Sequence, residues 1–503
     1  MPIQRPAAAG DIPWNTSTVF LGLLVLRILN ALTIKTFFQP DEYYQSLEVA
    51  HKIVFGYGYT TWEWDEGIRN PLHPAVLAVL YKVLSVVGVD TPDVVVVAPK
   101  VLQGVFAAVG DFYTVKLGRK MFGERVGRWT LFCTVTSSWN WFCYTRTFSN
   151  SLETVLTACA MYYWPSLQST KTNASAVLAL VLAAVACVMR PTNALLWVWL
   201  GGHIMLNSPH RVFFMVQAAL VGVLAIGLNF VMDSLYYQRP VFTPFNFLQF
   251  NLVEGLSGFY GSSPWHYYLT QGLPLLLTAF LPFTVVGLVR YASAEHVGLV
   301  VWVVGCYSVI GHKEWRFLYP LLPLLLVYTS VSISRLSRRT KGRVVPIVVL
   351  LNVVVAWYAA QVHQRGVIDV MDYLKNEPDV QSVGFLMPCH STPWQSHLHN
   401  PALDDASWFL TCEPPLRFSI DERKTYRDEA DRFYDDPAGF LRENLDEVGG
   451  LAWTSHLVFF EVLEGFVKEY TEGSDYRECA RFFNTHFHDD RRRTGDVVVY
   501  CRT

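Results

Sequence analysis

Long apolar runs separated by short polar loops occupy the first two thirds of the chain, and the pattern changes near residue 363. A bilayer core requires about 20 mainly apolar residues per helix. Runs of that kind lie at 17–37, 94–115, 127–145, 149–166, 174–189, 191–206, 211–232, 266–289, 297–311, 317–334 and 344–363, and they predict eleven membrane-spanning helices. Residues 72–89 are also apolar enough to span, but they contain Lys82 and follow Pro71 and Pro74. Beyond 363 the pattern is that of a soluble domain. The short apolar runs Val383–Met387, Leu457–Phe460 and Val497–Tyr500 predict buried strands, and Asp421–Glu447 and Val462–Tyr470 predict helices. The expected architecture is an α-helical polytopic membrane part, residues 1–363, followed by a small α/β domain, residues 364–503.

Charge supports this division and gives it a direction. Only 16% of the 503 residues are charged, against about 25% in ordinary soluble domains. Of the 82 charged side chains, 41 lie in residues 364–503, so the longer first part is too poor in charge for a water-facing surface. A single soluble globule, a disordered chain and an electrostatic nucleic-acid binder are excluded. Lys and Arg accumulate in cytoplasmic loops. The 116–128 loop carries Lys116, Arg119, Lys120, Arg125 and Arg128 against Glu124, and the 335–343 loop carries Arg335, Arg338, Arg339, Lys341 and Arg343 with no acid. The 38–70 loop has six acids and only Lys52 and Arg69. The three assignments agree if 72–89 lies at the non-cytoplasmic interface instead of crossing. Eleven crossings then place the N-terminus in the cytoplasm and the tail on the far side. The first span, lacking a small-residue cleavage site, is expected to be a signal anchor. The sequons at Asn15 and Asn173 fall on the cytoplasmic side and should carry no glycan.

Polar clusters fall on one predicted face of the membrane. The first is Pro40-Asp41-Glu42-Tyr43-Tyr44-Gln45, just after the first span. Adjacent carboxylates in a partly apolar setting can have their pKa values pushed apart, leaving one ionised to accept a proton. The same residues would also suit a helix N-terminus, with Pro40 at its start and two acids in its first turn. Tyr43, Tyr44, Trp62, Glu63 and Trp64 offer flat faces and oxygens suited to sugar rings, although an interfacial aromatic belt has the same composition. The second cluster is His312-Lys313-Glu314-Trp315-Arg316, where three cations suit a phosphate. Arg146 and Arg190 join it by predicted side. Snorkelling from helix ends is the ordinary alternative for each. Asp111, near a cytoplasmic span end, is expected to pair with Lys116.

Five of the nine cysteines, Cys133, Cys143, Cys159, Cys187 and Cys306, lie in spans and suit small apolar positions. Cys389, Cys412, Cys479 and Cys501 lie in the tail. Four cysteines allow three pairings, of which Cys389–Cys412 with Cys479–Cys501 is preferred. The run Met387–His399 holds three His and Cys389, but its spacing is no standard zinc site, and no metal is expected. No nucleotide-binding loop, nucleophile elbow or H-E-x-x-H helix is present. That absence points to a donor arriving in the membrane.

The motifs Pro40–Gln45, Thr61-Trp62-Glu63-Trp64 and His312–Phe317 resemble glycosyltransferase family 22, and with them the match runs from about residue 37 to the C-terminus. Val241–Phe247 (with Asn246), Phe259–His266 (with Trp265 and His266) and Met387–His399 are similar to the branch of that family that adds the third mannose of the GPI anchor. Family members often have His where Gln39 and Ser263 stand here. The resemblance implies a GT-C fold in the endoplasmic reticulum membrane, dolichyl-phosphate mannose as donor, and a GPI precursor glycolipid as acceptor. It also implies an α-1,2 transfer that inverts the β-linked donor without a covalent intermediate. Asp41 is then the expected base, with Glu42 orienting the acceptor or substituting. Arg146, Arg190, His312, Lys313 and Arg316 would stabilise the leaving phosphate without a metal. The branches acting on the N-glycan precursor or the fourth GPI mannose share this chemistry. A transporter would instead show paired halves with midplane charges.

Overall fold

The computed structural model describes residues 15–165, 174–253, 258–259, 261–416, 418–419, 421–445 and 451–502. Asn173 and residues 446–447 of the expected tail helix lie outside these. The chain divides into two compact units. The first comprises Met1–Leu32, Gly67–His73 and Lys100–Trp357, and the second Thr33–Glu66, Pro74–Pro99 and Tyr358–Thr503. The polar loop after the first span thus clusters with the tail.

Helical structure lies on each of the eleven expected spans. Among the described residues, six runs are long and apolar enough to cross a membrane: Thr16–Thr33, Pro92–Phe122, Arg211–Tyr237, Tyr268–Tyr291, Trp315–Arg335 and Arg338–Asn376. The others are shorter or interrupted, and their interruptions have local causes. Ser137 ends the Glu124–Thr136 helix and caps Ser138–Cys143, its side chain accepting from the Asn140 amide at 3.3 Å. Thr278 breaks the 268–291 run with a positive φ of 46°, unusual for a β-branched residue. Its hydroxyl donates to Asn352 Oδ1 at 2.6 Å, and the Ala279 amide reaches the same oxygen, so the freed backbone keeps a partner inside the membrane part. The Trp315–Arg335 run is the centre of the first unit, buried almost throughout, between the Glu124–Thr136 and Leu281–Tyr291 helices. The expected interfacial segment is the helix Leu72–Val87, which leaves Val79, Val83, Val86 and Val87 exposed.

One expected pairing is corrected. Asp111 is bonded to Arg27, not Lys116: Arg27 Nε donates to Asp111 Oδ2 at 2.5 Å with both side chains fully buried. Arg27 also reaches Asn30 Oδ1 and the carbonyls of Thr134 and Asn140. An isolated charge in a span is costly, so a carboxylate there finds a buried partner before a terminal one. The Lys116 ammonium instead lies over the Tyr162 ring, 4.4 Å from its centroid.

In the second unit the tail forms a five-stranded sheet of order β2-β1-β3-β5-β4. The strands are β1 Val383–Leu386, β2 Trp408–Phe409, β3 His456–Phe460, β4 Tyr476–Phe482 and β5 Val497–Arg502. β1 runs parallel to β2 and β3, while β5 is antiparallel to β3 and β4. Phe433, Phe440, Leu457, Phe459 and Val498 centre its core. The helices Glu429–Asp435 and Pro437–Asn444 are N-capped by Asp428 and Asp436, and Glu464–Tyr470 follows β3. Cys389 bonds Cys412 and Cys479 bonds Cys501, with Cα separations of 5.7 and 5.8 Å.

Candidate active site

In the second unit a helical run begins at Asp41, widens into a π-helical turn over Tyr43–Leu47 and continues as Glu48–Phe55 until Gly56 closes it in the left-handed region. Asp41 at its start is partly exposed, whereas Glu42, Tyr43 and Tyr44 are buried. The pair therefore holds one carboxylate that solvent reaches beside one that it does not. Phe37 stacks on Tyr43 at 5.4 Å. Trp64 Nε1 donates to the Tyr44 carbonyl at 3.2 Å, and Trp62 is buried beside it on a short helix. Glu63 accepts from Thr61 Oγ1 at 2.7 Å and Gln45 Nε2 at 3.3 Å.

The tail segment Met387–His399 meets this run. Tyr44 donates its hydroxyl to the Thr392 carbonyl at 3.0 Å, and its ring lies 4.4 Å from that of His390. Glu48 takes the amides of Trp394 and Ser396 and the Ser396 hydroxyl. Burial pushes the Glu48 carboxyl up to about 7, against the lowering effect of those bonds. His51 Nε2 faces His399 Nδ1 at 2.8 Å, and burial with that neighbour holds His51 down at about 3. Cys389, His390 and Cys412 gather their polar atoms, but the two sulfurs are joined to each other, so their chemistry is that of a disulfide.

In the first unit, Arg190 lies between two helices. Its Nη1 donates to Ser149 Oγ at 3.0 Å, its Nε stands 3.3 Å from Glu153, and its guanidinium lies over the Phe317 ring. Glu153 is buried and also accepts from Asn193 at 2.8 Å and Asn150 at 3.2 Å. Arg146 is buried, donating Nε to the Phe142 carbonyl. Arg316 grips Glu314 with two bonds of 2.6 and 2.8 Å, and His312 Nε2 meets the same carboxylate at 3.2 Å. Burial favours the neutral forms here, but the mutual charges win: Glu314 is held well below the carboxylate range and His312 above its ordinary value. Lys313, expected among the cations for the phosphate, faces backbone carbonyls. Its ammonium is buried and lies within 2.5–3.4 Å of the carbonyls of Ser263, Ile310 and Gly311, so its three donors tie two loops together. Asn246 donates to the Gly67 carbonyl at 3.1 Å, while Trp265 and His266 stand exposed on the loop before the Tyr268 run.

Residues 18–399 match the model of the Alg9-like mannosyltransferase family. The chain belongs to that family. It is 47% identical to GPI mannosyltransferase 3 of Yarrowia lipolytica over 96% of each chain. It is 36% identical to GPI alpha-1,2-mannosyltransferase 3 of Homo sapiens, covering 98% of this chain and 88% of that one. Among solved structures, ArnT from Cupriavidus metallidurans bound to undecaprenyl phosphate superposes with a TM-score of 0.56 at 13% identity, over 97% of this chain and 98% of that one. The apo oligosaccharyltransferase of Archaeoglobus fulgidus gives 0.51 at 12% identity, over 95% and 76%. The fold of this Alg9-like enzyme is GT-C. Sequence reasoning missed Glu48, His51 and Glu153. A carboxylate inside an apolar run was the available signal for Glu153; for Glu48 and His51 the partners lie about 350 residues away.

Proposed function

We propose that the chain transfers mannose from dolichyl-phosphate mannose to the 2-hydroxyl of the second mannose of a GPI-anchor precursor, adding its third, α-1,2-linked mannose. The near-full-length identity to enzymes named for that step, in fungi and vertebrates, carries the reading of the acceptor. The arrangement at Asp41 supports the reading of the chemistry. In a single inverting displacement, Asp41 takes the proton of the acceptor hydroxyl as the bond to the sugar carbon forms, a role typically worth 10²–10⁴-fold. Glu42, buried beside it, orients the acceptor, and Tyr44, Trp62, Glu63 and Trp64 frame the sugar. The leaving group departs as a phosphate and needs charge stabilisation, which Arg190, Arg316, His312 and Arg146 offer without a metal. On this reading the chain works in the endoplasmic reticulum membrane, with its N-terminus cytoplasmic and its tail lumenal. Cells lacking the protein should accumulate a two-mannose GPI precursor. A truncated N-glycan donor with normal GPI would assign another member's step instead. Purified enzyme should keep its activity in chelator, and Asp41→Asn should stay folded while losing transfer.

A further inference from the structure

The helical run that begins at Asp41 is held from outside by the tail at several points. Tyr44, three residues on, is fixed on both sides: its hydroxyl by the Thr392 carbonyl and its own carbonyl by Trp64. Glu48, seven residues on and 0% exposed, gathers three tail donors. Trp394 N lies 2.8 Å from Oε1, Ser396 N 3.1 Å from Oε2, and Ser396 Oγ 2.6 Å from Oε1. Asp404 adds a bridge by accepting from Gly58 N at 2.8 Å and Trp394 Nε1 at 2.7 Å. The Cys389–Cys412 disulfide closes the loop that carries these tail residues. Between Asp41 and Glu48 the helix is π-helical, a wide turn that recurs at functional sites and forms only short segments. A fully buried carboxylate is an expensive way to fill a core, since an apolar residue of similar volume is often as stable or more so. What it supplies here is a fixed geometry between two segments nearly 350 residues apart in sequence. Its oxygens are occupied by donors from the protein itself, so it is not placed to take a proton from an acceptor.

We propose that Glu48 is a positioning residue that docks tail residues Thr392–Ser396 on the Asp41 helix and so sets the orientation of Asp41, which makes the tail a working part of the catalytic apparatus. The proposal rests on the reading of Asp41 as the base. The test uses the full chain in lipid nanodiscs with dolichyl-phosphate mannose and a two-mannose GPI acceptor. Glu48→Ala leaves two buried amides unpaired and should lower kcat about 10- to 100-fold, the scale of a misplaced catalytic group, with both KM values little changed. Amide exchange over 391–399 should quicken. Glu48→Gln keeps an oxygen at Oε1 for the same donors and should restore most of kcat, which a group acting through its charge would not allow. A folded Glu48→Ala protein with wild-type kcat overturns the proposal. So does a Glu48→Gln protein as impaired as Glu48→Ala, or a loss of kcat with unchanged exchange over 391–399. If Glu48→Ala does not fold, Ser396→Ala carries the test: lower kcat with faster exchange supports the docking role, and unchanged kcat refutes it. Failure of the Asp41 reading is separate and would appear as Asp41→Asn protein that transfers mannose at the normal rate.

Discussion

Two buried carboxylates, Glu48 and Glu153, hold partners that the proposed reaction needs, and each makes a residue-level prediction. Folded Glu48 keeps its proton up to about pH 7, against an ordinary value of 4.5, because burial disfavours its charge more than its three donors favour it. Between those values the native state binds more protons than the unfolded chain, so stability falls as pH rises through the window, by on the order of 3 kcal/mol. His51 has the opposite slope: held near 3, it stays neutral in the fold and adds stability as pH rises towards 6.5. His399 and Asp404 face the same cluster, so the informative quantity is a difference between proteins. The thermal midpoint of Glu48→Gln minus that of wild type should climb from about pH 5 to 7 and level off above; a flat difference would refute the raised pKa. Glu153 orients Arg190, whose fork also reaches Ser149. Lysine keeps the charge but not the fork, so Arg190→Lys should raise the donor KM roughly tenfold with the acceptor KM unchanged. Equal donor KM values would remove Arg190 from the phosphate site.

Helices in the membrane part approach closely where small residues permit it, as spans generally do. Gly287 on Leu281–Tyr291 faces Tyr328 of the central run so tightly that a Cβ would overlap the Tyr328 carbonyl. Backbone cannot move aside as a flexible side chain can. Gly287→Ala should therefore cost about 1–3 kcal/mol, seen as a lower thermal midpoint after extraction, while Gly222→Ala on the outer Arg211–Tyr237 helix, with open space around it, should be neutral. If the two behave alike, the close packing is wrong. The same element scale shows what the sequence made legible. Apolar runs marked the helices and the buried strands β1, β3 and β5, because burial on both faces leaves continuous hydrophobic stretches. The two strands it hid have different reasons. β2 is only Trp408–Phe409, and β4, Tyr476–Phe482, is an edge strand whose charges leave no continuous apolar run. The break at Thr278 was hidden because its compensation comes from Asn352, 74 residues away. The Asp41 and His312 clusters were legible because their members are neighbours in sequence; Arg27–Asp111 and Glu48–Ser396 were not, because folding alone joins them.

At the scale of the whole molecule, the sign of the charge was used to orient the chain, and the fold offers an independent check on that use. The two basic loops assigned to the cytoplasm are separated by about 200 residues, yet they converge: Arg125 and Lys341 both donate to the Ser334 carbonyl, at 2.9 and 2.8 Å. Lys341 also lies over the Trp129 ring. A topology that put these loops on opposite faces of the bilayer could not make those contacts, so an even number of crossings must separate them. The expected spans between 116–128 and 335–343 number eight, which satisfies the condition. Adding Leu72–Val87 as a crossing would leave that count intact but would move both loops away from the side of the N-terminus and onto the side of the acidic 38–70 loop. The decisive measurement compares one exposed position in a basic loop with one in the acidic tail. In sealed microsomes, whose outer face is cytoplasmic, Arg339→Cys should react with a membrane-impermeant maleimide at once, and Glu472→Cys only after detergent opens the lumen. Labelling of both before detergent would place the tail in the cytoplasm and require an even number of crossings after the 335–343 loop in place of the single expected one; labelling of Glu472→Cys alone would put the basic loops in the lumen, either through Leu72–Val87 as a twelfth crossing or by inversion of the whole chain, which would place the Asp41 helix opposite a lumenal donor.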